Sequence, residues 1–157
     1  MQLLIFHLDA DRYAMRTAEI VCVLPLTNLK QLPHTPAYVA GLLNYHGAAV
    51  PVIDLCHLMC GRAANALFDS RIILINYQRT GDSGKTSKRL GLIAEHVSAL
   101  QQRNPDEFSV AGIDPGTAPY LGKIATDREG ILQLVDLDQL LSESVRAMLF
   151  PLDGALC

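Results

Sequence analysis

The chain contains no tryptophan, aromatic residues make up only 6 %, and basic residues do not outnumber acidic ones. So few aromatics leave few platforms on which bases could stack, which argues against the single-strand binders built on small barrels. With 13 basic and 16 acidic residues and a formal net charge of -3, no positive field is available to collect phosphates or anionic lipid. Neither nucleic acid nor direct membrane insertion is therefore expected. Long hydrophobic runs are missing as well, since none approaches the roughly 18 residues of a membrane-spanning helix. The apolar stretch nearest the start, residues 3–6, has no basic lead and no small-residue cleavage site, so a secretory leader is not expected. Cysteine is scarce: Cys22, Cys56, Cys60 and Cys157 in so apolar a chain read as reduced thiols, not as a disulfide frame. These absences together lead us to expect a soluble, cytoplasmic protein.

What is present is apolar material. Hydrophobic residues make up 50 % of the 157 residues and charged ones 18 %, and a chain of this length buries about 70 % of its unfolded surface. One domain, or two tightly fused lobes, is the expected count. Residues 2–8 and 12–15 flank the turn-forming Asp9-Ala10-Asp11 and read as an opening hairpin. A second β-branched run, residues 19–24, is closed by Pro25. The strand Ala49-Val50-Pro51-Val52-Ile53 carries a proline, which points to the edge of a sheet. Asp54 is placed to cap a short helix over residues 55–59 that stops at Gly61. Residues 71–77 and 90–96 are strongly apolar strands, joined by the polar segment 79–89. Residues 104–119 read as a long connection, 122–125 and 131–135 as a last hairpin, and 137–149 as one amphipathic helix capped by Asp136 or Asp138. Nine or ten short strands and three helices fit barrels or a sandwich better than a parallel sheet flanked by helices. The two halves echo each other: Val50-Pro51-Val52-Ile53-Asp54-Leu55 and Leu132-Gln133-Leu134-Val135-Asp136-Leu137 both run from an apolar strand through Asp-Leu into a helix. Two related barrels would produce that echo.

The most specific stretch is Leu32-Pro33-His34-Thr35-Pro36-Ala37-Tyr38-Val39-Ala40-Gly41-Leu42-Leu43-Asn44-Tyr45-His46-Gly47, followed by Val50-Pro51-Val52-Ile53-Asp54-Leu55. Phe6-x-Leu8, Tyr13-Ala14-Met15 and Leu90-Gly91-Leu92-Ile93 support it. These residues resemble the CheW family of chemotaxis coupling proteins, from Leu4 to about Leu141. The resemblance implies an all-β fold of two small SH3-like five-stranded β-barrels packed side by side, plus a C-terminal helix. It implies one CheW-like domain over residues 1–157, made of two intertwined barrel subdomains. It also implies no enzyme activity, cofactor or metal. The expected role is that of an adaptor coupling a methyl-accepting chemoreceptor to a CheA-type histidine kinase, with the receptor bound in a groove near the barrel junction. Carried over by position, the resemblance implies a receptor-side surface of Ile20, Cys22, Gly41, Asn44, His46 and Gly47, while Gly41 and Gly47 read equally well as simple turn residues. A recognition glycine at the surface predicts that Gly41→Asp abolishes receptor binding while leaving thermal unfolding nearly unchanged.

Two positions depart from the family's pattern, which usually has Glu where this chain has Cys22 and Arg where it has His46. Losing one partner of a partly buried pair costs about 3–5 kcal/mol, whereas losing both can be neutral, so the double change is compatible with an intact fold. It points to a divergent branch, such as a Wsp-type system concerned with surface sensing.

Three motifs compete. Gly81-Asp82-Ser83-Gly84 resembles a serine-protease nucleophile loop, but that fold needs more chain and matched His and Asp partners. Gly84-Lys85-Thr86 suggests a phosphate loop, yet the earlier glycine such a loop needs is Arg79 here. Cys56-His57-x-x-Cys60 offers thiolates and an imidazole to zinc or to nucleophilic chemistry, with Cys22 and His46 as possible additions, and so supports an alternative zinc- or thiol-dependent enzyme. Against it stands the frequency with which free cysteine is simply buried in cores. His7 and His96 fall in strand patterns, and His34 and His57 read as surface residues.

Overall fold

The computed structural model describes residues 1–78, 88–110, 112 and 118–150. It contains ten strands: β1 (Gln2–Leu8), β2 (Asp11–Arg16), β3 (Ile20–Pro25), β4 (Val39–Tyr45), β5 (Ala48–Asp54), β6 (Arg71–Tyr77), β7 (Lys88–Ala94), β8 (Ala99–Gln102), β9 (Leu121–Asp127) and β10 (Gly130–Val135). Helix α1 (Leu55–Cys60) follows β5, and α2 (Glu143–Leu149) lies near the C-terminus. The strands form two five-stranded sheets, β8-β1-β2-β10-β9 and β3-β6-β7-β5-β4. Each is antiparallel except for one parallel pair, β10 with β2 and β5 with β7. The opening hairpin is completed by strands from the far end of the chain, so β3–β7 of the second sheet are inserted between β2 and β8 of the first.

Both sheets close into small barrels packed side by side, and side-chain alternation shows how. From β1, Leu3 and Ile5 enter the first barrel with Ala14, Phe108, Ala125, Leu132 and Leu134. From β6, Ile72 and Leu74 enter the second barrel with Leu43, Val50 and Val52. The intervening residues point the other way. Leu4, Phe6 and Leu8 of β1 meet Ile73, Ile75 and Tyr77 of β6 in a third and larger core, which also takes Ile53, Leu90, Leu92 and Val135. Strands buried on both faces need apolar residues at every position, and this is why β1 and β6 read as continuous hydrophobic runs. Helix α1 and the C-terminal segment add Leu55, Cys56, Leu140, Leu141 and Val145 to the same shared core.

The repeat foreseen in the two halves is structural. The Tyr38 carbonyl accepts the Asp54 N–H at 2.8 Å, and the Tyr120 carbonyl accepts the Asp136 N–H at 2.7 Å. In each barrel a hairpin, β4–β5 or β9–β10, ends at this bond and leads into a helical turn. Asp54 caps α1 through a bond from the His57 N–H at 3.2 Å, and Gly61 ends the helix in the left-handed region at φ 78.

Several expectations need correction. Strand β5 is interior, lying between β4 and β7, despite Pro51. Pro51 stands opposite Leu42 of β4, while the ladder to β7 begins only at Val52, so no β7 residue is paired with the position lacking an N–H. The terminal segment is not one helix: a 3-10 turn at Leu137–Gln139 precedes α2, whose cap is Ser142, its Oγ accepting the Val145 N–H at 3.3 Å. Strand β8 was not anticipated, and the expected connection 104–119 contains a 3-10 turn, Pro105–Glu107, and the buried Phe108. Two α-helices are described, not three. His96 is not in a strand but sits at φ 50 beside Asp69, at 3.1 Å. The polar segment 79–89 lies outside the described residues except for Lys88 and Arg89, which belong to β7; the motifs at 81–86 and Cys157 also lie outside them. No helix among the described residues is long and apolar enough to cross a membrane.

Candidate functional site at the open end of the second barrel

The β4–β5 hairpin turns through His46 and Gly47 alone, with φ of 51 and 85. Two left-handed residues in succession give the turn type whose twist matches that of the flanking strands. A Cβ at Gly47 would meet nothing within 4 Å, so glycine is required there by conformation and not by space. The exposed Asn44 accepts the Gly47 N–H on its Oδ1 at 3.0 Å, which fixes the turn.

Tyr45, between these residues, joins the rest of the site. Its hydroxyl lies 3.7 Å from Cys22 Sγ in a weak hydrogen bond. Cys22 is on β3 and Tyr45 on β4, the two outermost strands of one sheet, so their contact closes that sheet into a barrel. The Cys22 bond, together with partial burial, raises the phenol above its ordinary pKa and keeps it protonated at neutral pH. The His46 ring packs edge-on against Tyr45 at 4.3 Å, and the Arg89 guanidinium lies 5.5 Å above its centroid. Cys22, Asn44, His46 and Gly47 thus gather at one end of the second barrel.

Ile20 and Gly41 lie apart from that group. Ile20 is half-buried and packs against the core shared by the barrels, with a bulge separating it from Cys22. Gly41 is buried at φ 144, and a Cβ there would collide with the Lys30 carbonyl oxygen and stand 3.1 Å from Leu29 Cβ. The segment carrying Lys30 bridges to Leu42 of β4 and needs that close approach. The expectation that Gly41→Asp spares stability is therefore overturned: the position is packed backbone, not open surface.

Sequence reasoning missed Tyr45 and Arg89. Tyr45 was present in the quoted motif as a spacer, and Arg89 was assigned to a polar loop. Its signal was the alternation Arg89-Leu90-Gly91-Leu92, which places Arg89 and Gly91 on one face of β7.

In the Cys56-His57-x-x-Cys60 set both thiols are held in the protonated form. Cys56 is fully buried and its thiol is pushed up to about 12 by burial and by the nearby Glu95 carboxylate. Cys60 is exposed, and partial burial of its thiol together with Asp9 raises its pKa too. Both remain protonated at neutral pH, whereas nucleophilic attack by sulfur needs the thiolate. Among the described residues no group of three or more His, Cys, Asp or Glu side chains could hold a metal ion. Cys22 and His46 do not complete the set, since they sit at the second barrel's end while Cys56 belongs to the shared core.

A polar clasp spans the seam between the barrels. Arg62, just after α1, donates to Asp9 in the β1–β2 turn at 2.8 Å and to both oxygens of Glu95, each at 2.9 Å. Glu95 is 1 % exposed and also accepts the Asn65 N–H at 2.6 Å. The Arg62 bonds hold its carboxyl below the ordinary range against the opposing effect of burial.

Comparison with known proteins agrees with this architecture. Residues 2–145 match the model of the CheW-like domain family. A chemotaxis protein CheW of Klebsiella aerogenes is 24 % identical over 153 aligned residues, covering 94 % of this chain and 85 % of the relative. The Bacillus subtilis chemotaxis protein CheW is 20 % identical over 142 residues, covering 90 % and 87 %. The crystal structure of scaffolding protein TtCheW from Thermoanaerobacter tengcongensis superimposes with a TM-score of 0.73 at 22 % identity, over 90 % of this chain and 87 % of that one.

Proposed function

The chain belongs to the CheW-like domain family, and from that premise we propose that it is a cytoplasmic, non-catalytic scaffold coupling a methyl-accepting chemoreceptor to a CheA-type histidine kinase. The observation that carries this reading is the extent of the family match, which takes in both barrels and reaches into α2. Two barrels locked over one apolar core act as a single domain, rigid enough to hold two partners in fixed relation. An adaptor of this kind needs no reacting group; it transmits a receptor's bias when its complexes with the two receptor states differ in free energy.

The receptor-side surface we assign to the open end of the second barrel: Cys22, Asn44, His46 and Gly47 around Tyr45, with Gly41 of β4 admitting the close approach of the Lys30 segment and Ile20 at the seam. The test is reconstitution with a purified receptor cytoplasmic fragment and the kinase. The protein should co-sediment with both and raise receptor-dependent kinase autophosphorylation. Failure to associate with either partner overturns the reading.

A further inference from the structure

The internal repeat sets the open end of the second barrel against a counterpart in the first. The hairpin pairs Tyr45↔Ala48 and Asp127↔Gly130 each close a two-residue turn, so Asp127 occupies in the first barrel the place that Tyr45 occupies in the second. The parallel pairings extend the match. Leu134↔Ala14 in the first barrel corresponds to Val52↔Gly91 in the second, and two residues before Ala14 and Gly91 stand Arg12 and Arg89, at equivalent positions on β2 and β7. In both barrels an arginine reaches the residue at the hairpin's end. The chemistry it finds there differs.

Arg12 finds acid. Its guanidinium bonds Asp127 at 2.6 Å and Glu129 at 3.3 Å, and Arg103 also pairs with Asp127, joining the outer strands of the first barrel. Arg89 finds Tyr45, stacking over its ring and hydrogen-bonding its hydroxyl, while Cys22, not a charged group, joins the outer strands of the second barrel. Among the described residues no carboxylate forms an ion pair with Arg89. A guanidinium carries five N–H donors in a planar fork, so a bond to one phenol oxygen leaves further donors whose geometry matches a carboxylate. Arg89 is exposed, as are its neighbours Asn44 and His46.

We infer that Arg89 is the specificity-determining cation of this surface, seated on Tyr45 to receive a carboxylate from an acidic side chain of the docked receptor helix. This inference rests on the receptor reading above. The first barrel carries its acid internally, and in the second the partner supplies it. Tyr45 holds the guanidinium in place without neutralising it, which lowers the ordering cost of the new ion pair.

The test measures binding of a purified methyl-accepting chemoreceptor cytoplasmic fragment by calorimetry at low and physiological salt. Arg89→Glu should weaken binding by about tenfold or more and flatten its salt dependence, while Arg89→Lys keeps most of the affinity. Lys123→Glu, exposed on β9 of the first barrel, makes the same change in net charge and should leave binding near that of the wild type. Unfolding temperatures check that each variant is folded, and Arg89→Gln carries the test should Arg89→Glu fail to fold. Binding unchanged by substitution of Arg89, or an equal loss in Lys123→Glu, overturns the inference and leaves the receptor reading intact. A wild-type protein that binds no receptor fragment overturns both.

Discussion

Replacing Glu95 by Ala removes the acceptor at the centre of the clasp between the barrels. Glu95 receives two bonds from Arg62 and one from the Asn65 N–H while being 1 % exposed. Hydrogen bonds to a charged group contribute about 1.5–3 kcal/mol each, but Arg62 recovers hydration when released, since 37 % of its side chain is already exposed. The Asn65 N–H, by contrast, loses its carboxylate acceptor. A net loss of about 2–4 kcal/mol at pH 7 follows for Glu95→Ala, which lowers the melting temperature by on the order of 10 °C in a chain of this size. The pH dependence separates this account from mere loss of packing. The folded carboxyl is held below its ordinary value of 4.5, so its contribution is fully present above that value and disappears as pH falls through the lowered one. Urea denaturation followed by circular dichroism, from pH 7 downward, should show the gap between wild type and Glu95→Ala narrowing below pH 4.5. A cost under about 0.5 kcal/mol at neutral pH, or a gap that stays constant into acid, would refute the reasoning.

Three further outcomes follow from the same geometry. Gly41→Ala should destabilise by about 2–5 kcal/mol in chemical denaturation, because a left-handed φ and the Lys30 carbonyl both oppose a side chain; near-wild-type stability would contradict this. In thiol labelling at pH 7, Cys56 should react only after unfolding, and Cys60 should react more slowly than a free thiol despite its exposure; rapid labelling of folded Cys56 would show that the shared core is open. The Asp127 carboxyl, held at about 2 by Arg103 and Arg12, should titrate there in carbon-detected NMR and move toward 3.8 in Arg103→Gln. Its contribution to stability is present above 3.8 and lost as pH falls through about 2; an unshifted titration in the wild type would show that the ion pairs are absent in solution.

Much of the fold could be read from local pattern. Strands β1 and β6 announce themselves because burial on both faces admits few polar residues, and Asp54 with Gly61 marks both ends of α1 by capping chemistry alone. The misreadings have physical causes too. Strand β8 is a four-residue edge with Leu100 60 % exposed, so it lacks the alternation that marks a half-buried strand. Leu137, Leu140, Leu141 and Val145 hold helical spacing because a 3-10 turn and a separate helix pack on the same core, not because one helix runs through them. Pro51 suggested an edge because which neighbour its missing N–H faces is decided by strand order, a tertiary fact. The site was legible only as a loop motif. Cys22 meets Tyr45 because the outer strands of the sheet come together on closure, and the equivalence of Arg12 with Arg89 appears only when the registers of two distant strand pairs are compared.

Reconstituted kinase activity tests the central claim most directly. Receptor cytoplasmic fragment, CheA-type kinase and this protein are combined, and autophosphorylation is followed with each component omitted in turn. The account predicts that receptor control of the kinase appears only when this protein is present, and that it weakens in Arg89→Glu. Full receptor control in its absence, or no effect of its addition, would contradict it.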